Sequence, residues 1–104
     1  MNIVYIFPND IKSKAMPIIE NDKYDKVSFG RMGYVVKDGE DFGFPGKTLV
    51  VVRNVDIEFK EHASKLFSGI SQVETLENEK CSQIVKRVNE EEERAQSGFG
   101  SIFG

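Results

Sequence analysis

Few residues in this chain have the type and spacing that chemistry requires. There is one histidine, His62, and one cysteine, Cys81. A zinc site built on Cys and His needs four such ligands, so these two cannot make one. A general base needs a group that orients it and a proton to remove. The sequence offers neither beside His62, which flanks the apolar stripe Phe59-Ala63-Leu66 and reads as a surface or boundary residue. A reactive thiolate needs an electropositive, partly exposed setting. Cys81 falls on the apolar side of a helical repeat and reads as a buried structural thiol. No catalytic residue is assigned, no cofactor or metal is expected, and the balance is against an enzyme.

Two further patterns look like sites and do not hold up. Phe44-Pro45-Gly46-Lys47-Thr48 resembles the end of a phosphate-binding loop, but the glycine required five residues before Gly46 is Asp41. A strand follows it where a helix should, so no helix amino terminus is available to hold phosphate. Asp38-Gly39-Glu40-Asp41 is acidic but lacks the ligand spacing of a calcium loop. What remains is the stretch from Phe29 to Gly46, with five of the nine glycines and the aromatics Phe29, Tyr34, Phe42 and Phe44. Glycines beside aromatics allow close approach of a ligand or partner, and they equally serve turns. If a small ligand binds here, Phe42 and Phe44 are its apolar contacts, and Arg31 and Lys47 are the cations for an anionic ligand.

The elements that must position these residues follow from periodicity. Asn2 to Phe7 is a β-branched and aromatic run stopped by Pro8-Asn9-Asp10, a strand followed by a turn or cap. Asp10 is expected to cap a helix reaching Glu20, kinked or divided at Pro17. Val27 to Lys37 reads as a strand interrupted by Gly30 and Gly33. Asp38-Gly39 signals a hairpin turn, with Glu40 to Phe44 a short strand or an excursion. Thr48 to Arg53 is the clearest strand. Asp56 caps a helix carrying Phe59, Ala63, Leu66, Phe67 and Ile70, stopped at Gly69. Ser71 to Leu76 is a weak edge strand. A last helix begins near Glu77, entered through Thr75 or Asn78, with Cys81, Ile84, Val85 and Val88 inward. Its charged second half, Glu90 to Glu93, is expected to be solvated. The order predicts an α+β fold of the ferredoxin-like βαββαβ plan: a four-stranded antiparallel sheet, two helices on one face, an added C-terminal helix and a flexible aromatic tail. Residues 1–97 form one domain and residues 98–104 the tail.

The chain has 104 residues, a net charge of −3 and 39% hydrophobic residues, enough for one modest core. The charge argues against nucleic-acid binding. Tyr5 is placed where an RNA-binding aromatic would stand on this plan, but the other central strand, Leu49 to Val52, has none to stack a base. No apolar run is long enough to cross a membrane. The opening residues read as a strand and not as a signal peptide, so a cytoplasmic location is expected.

Both faces of the two strongest strands are apolar. Val4 and Ile6 alternate with Ile3, Tyr5 and Phe7, and Leu49 and Val51 alternate with Val50 and Val52. Two helices cover one face. The last helix has about two turns of apolar surface and is expected to cover only part of the other, and an open apolar face implies an interface. The leading expectation is a non-enzymatic interaction or regulatory module, self-associating or bound to a protein partner through Tyr5 and the tail residues Phe99, Ile102 and Phe103. The alternative is a small-ligand-binding sensory domain, for an anion or a metal, built on the hairpin 29–47.

Overall fold

The computed structural model describes residues 1–24 and 26–103, with side chains through residue 95. Strands β1 (Ile3–Pro8), β2 (Val35–Asp38), β3 (Lys47–Val52) and β4 (Glu74–Leu76) form one sheet in the order β2-β3-β1-β4. Every neighbouring pair is antiparallel. The helices are α1 (Lys12–Glu20), the single turn α2 (Phe29–Met32), α3 (Ile57–Leu66) and α4 (Glu79–Phe103). The fold is α+β, and none of the described helices is long and apolar enough to cross a membrane.

The alternation in β1 and β3 sorts the core into two layers. Register pairs Ile3 with Val52 and Tyr5 with Val50, so these residues share one face. They pack against Ala15 and Ile19 of α1 and against Phe59 and Ala63 of α3. The same register pairs Val4 with Val51 and Ile6 with Leu49 on the opposite face. There the partners are Cys81, Ile84, Val85 and Val88 of α4, joined at the margins by Val35, Phe42, Phe44 and Leu76. Val4, Leu49 and Val51 are all 0% exposed. The expectation of an open second face is therefore corrected. Two turns of α4 cover its centre, and side chains from β2, β4 and the β2–β3 connection close its edges.

The charged half of α4 is largely solvated, as its composition implies, with Glu90, Glu92 and Glu93 exposed, and two of its carboxylates reach cations of the sheet. Lys37 on β2 donates to Glu91 at 3.0 Å. Arg53, just past β3, donates to Asn89 at 2.7 Å and lies 2.9 Å from Glu92. That contact holds the Glu92 carboxyl below the usual carboxylate range, mainly through the hydrogen bond from Arg53. Each pair is at least partly exposed and worth little alone.

Two local expectations change, and at Pro17 the alternative of a divided helix is set aside. Phe29 to Met32 is a helical turn and not the start of a strand, because the Ser28 hydroxyl accepts the Arg31 N–H at 3.1 Å and Asp22 accepts the Phe29 N–H at 3.0 Å. Phe29, 0% exposed, meets Tyr5, Phe59, Phe67 and Tyr34 edge-on. Asp10 does not cap α1: a 3-10 turn at Asn9–Ile11 intervenes, and no side chain caps the helix. Helix α1 continues through Pro17. Pro17 is on the exposed side, so the carbonyl it leaves unpaired four residues earlier, at exposed Ser13, can turn to water. The caps read at Asp56 and Asn78 are present, with Asp56 accepting the Phe59 N–H at 2.9 Å and Asn78 the Lys80 N–H at 3.0 Å.

Candidate functional site

The connection between β2 and β3 is an excursion and not a two-residue turn. Asp38 accepts the Glu40 N–H at 3.1 Å and starts a 3-10 turn over Gly39–Phe42. Gly43 ends it at φ 85°, a left-handed conformation that glycine adopts without strain. Gly39 is needed for a different reason: a Cβ there would stand 2.6 Å from the Lys47 carbonyl oxygen and collide with the Phe44 carbonyl. The Phe44 N–H closes the loop onto the Gly39 carbonyl at 2.7 Å. This folding brings Phe42 and Phe44 against α4.

Between that loop and α4 lies a cleft of about 390 Å³ lined by Phe42, Gly43, Phe44, Lys80, Gln83, Ile84 and Arg87. Each ring carries a cation. The Lys80 ammonium is 5.6 Å from the centre of Phe44, and the Arg87 guanidinium 4.5 Å from that of Phe42. Arg87 also donates to the Asp41 carbonyl and lies 3.6 Å from Glu91. Lys80 forms no ion pair among the described residues. The arrangement offers a flat apolar floor, one amide and two positive charges about 10 Å apart along the helix axis.

Of the ligand-binding residues read from sequence, Phe42 and Phe44 come together here, while Arg31 and Lys47 do not line the cleft. Arg31 is exposed on α2, and Lys47 is half-buried at the start of β3. The cations that do line it, Lys80 and Arg87, are two turns apart beside the apolar positions of α4. They were legible only as the border of that stripe. Among the partner-binding residues, Tyr5 is 2% exposed, its ring packed in the cluster formed with α1 and α3. The side chains of Phe99, Ile102 and Phe103 lie outside the described residues.

His62 has the partner that the sequence did not reveal. Its Nε2–H donates to Asp22, with the two carboxylate oxygens at 2.8 and 2.9 Å. The Asp22 side chain is 2% exposed and also accepts the Tyr24 N–H at 3.3 Å. Tyr24 stacks on the imidazole at 4.5 Å. This is half of a general-base device, an oriented imidazole. Among the described residues no hydroxyl or thiol is hydrogen-bonded to it, so the group acts as a clamp between α3 and the segment leading into α2.

Burial pushes the phenol of Tyr5 well above its usual range and raises the Cys81 thiol, in each case with a smaller contribution from the negative charge of Glu77. The unfolded chain releases the thiol proton at about pH 8.5 and the phenol proton at about pH 10, whereas the folded chain holds each to higher pH. Stability from these groups is therefore complete below about pH 8.5 and falls as pH rises past each unfolded value. Urea unfolding between pH 7 and 11 should show this decline, and Tyr5→Phe should remove the part above about pH 10.

Among the described residues no group of three or more His, Cys, Asp or Glu side chains is placed to hold a metal ion. No protein-family model, curated protein or solved structure matches this chain.

Proposed function

We propose that this chain is a non-enzymatic binding module whose ligand is a small anion with a flat apolar body, held between Phe42–Phe44 and α4. The observation that carries the reading is the pairing of two aromatic rings with two cations around one cleft. An anionic group meets Lys80, which has no ion pair among the described residues, and the apolar body lies on Phe44 and Ile84. The Arg87 guanidinium, 4.5 Å from the centre of the Phe42 ring, supplies the second cation.

Self-association through the second sheet face has lost its motive, since α4 fills that face. The large hydrophobic side chains left exposed among the described residues are Met1, Tyr24, Val36 and Ile57, on four separate stretches. Single exposed residues of this kind need no partner. For the architecture we propose the ferredoxin-like plan with an added helix. The strand order β2-β3-β1-β4, antiparallel throughout, supports it, as do α1 and α3 packed on a single face.

Calorimetric titration with phenyl phosphate tests the reading. Saturable binding is expected, with inorganic phosphate weaker because it has no ring. The double variant Lys80→Gln/Arg87→Gln should bind about ten-fold more weakly or worse and melt close to wild type. No binding of phenyl phosphate, or equal binding by the variant, would overturn it.

A further inference from the structure

We infer that a second ligand site lies between α3 and β4, and that its occupant is a small zwitterion of the free amino-acid class. The inference starts from the Tyr5 hydroxyl, which is buried and has no hydrogen-bond partner. An unpartnered buried hydroxyl is destabilising, and native proteins rarely keep one without a reason. Packing does not supply that reason. The Tyr5 ring meets Phe29 at 5.7 Å and Phe67 at 5.2 Å, contacts that a phenylalanine would make equally well.

Tyr5 forms part of the wall of a crevice of about 440 Å³, within the range of small-molecule sites. Phe67 and Val73 give it an apolar side, and Ser64 adds a second hydroxyl. Lys60 of α3 and Glu77, the residue after β4, also line it and pair with each other across it. Their side chains are 29% and 42% exposed, so the pair is weak and separates readily. A simple anion taking Lys60 would leave Glu77 alone, and a simple cation taking Glu77 would leave Lys60 alone. A zwitterion satisfies both: its carboxylate faces Lys60 and its ammonium faces Glu77. With the pair parted, the Tyr5 hydroxyl donates to the ligand carboxylate, and the ligand's apolar side chain lies on Phe67 and Val73. The site shares no residue with the Lys80–Arg87 cleft and does not depend on it.

The test uses the full chain, with thermal unfolding and calorimetry in leucine, valine, methionine and phenylalanine. At least one should bind saturably and raise the melting temperature. For leucine as that ligand, 4-methylpentanoate and isopentylamine each lack one charge and should bind about ten-fold more weakly. Without ligand, Tyr5→Phe should melt at or above the wild-type temperature, yet bind about ten-fold more weakly. Glu77→Gln, at the half-exposed rim, should lose binding similarly with little change in melting. Silence from all four amino acids, or full binding by both variants, would overturn the inference. Lys80→Gln/Arg87→Gln should leave this binding intact.

Discussion

Replacing Val88 by glutamate is expected to abolish the native packing of α4. Val88 is 0% exposed against the β1–β3 face and shares its cluster with Val4, Ile6, Leu49 and Val51. An ionised carboxylate there has no partner, and burying it costs several kcal/mol. That is a large share of the roughly 5–15 kcal/mol that stabilises a domain. The chain either unfolds or releases α4, and release exposes an apolar sheet face that should then self-associate. Urea unfolding followed by circular dichroism, with sedimentation velocity on the same sample, reads both outcomes. Val88→Ala removes two methyl groups without adding charge and should lose only about 1–2 kcal/mol. A glutamate variant that unfolds and sediments like wild type would mean that α4 does not seal this face.

The second large effect is expected at Asp22. Its carboxylate accepts from His62 and from the backbone N–H groups of Tyr24 and Phe29. Asp22→Ala strands the Phe29 N–H and the imidazole, both at least partly buried. A loss of about 2–4 kcal/mol is expected, since each stranded partner carries its own desolvation cost. Phe29 lies at the centre of the aromatic cluster, so the loss should reach the core and not stay in the loop. Chemical denaturation of Asp22→Ala, His62→Ala and the double variant gives a cycle. The two single losses should exceed the double loss when added, with a coupling of about 1 kcal/mol or more. Strict additivity would mean that the contact contributes nothing.

The parts of the fold that were legible in the sequence are those set by local pattern. Residues 3–7 and 49–52 are apolar on both faces, which only strands covered on both sides can satisfy. Asp56 and Asn78 stand directly before helical repeats, where a short acceptor side chain meets free N–H groups. What escaped depends on residues distant in sequence. The turn Phe29–Met32 looks like a strand because Val27, Phe29, Tyr34 and Val35 favour one, while its helical form relies on an Asp22 carboxylate seven residues earlier. The cover over the second face looked incomplete because α4 was weighed alone. Phe42 and Phe44 complete it, and nothing local to α4 announces them. Of the candidate site, the aromatic half was legible in the glycine-rich stretch. The cationic half required knowing which flank of α4 turns toward that loop, and that depends on how the buried residues Cys81, Ile84, Val85 and Val88 seat on the sheet.

The claim that the Phe42–Phe44 loop and α4 form a binding cleft is tested most directly by two-dimensional amide NMR of the labelled chain during titration with phenyl phosphate. The account predicts saturable shift changes concentrated at Phe42, Gly43, Phe44, Lys80, Gln83 and Arg87, with the α3–β4 crevice unmoved. Unchanged spectra, or changes concentrated away from that loop and the first turns of α4, would contradict it.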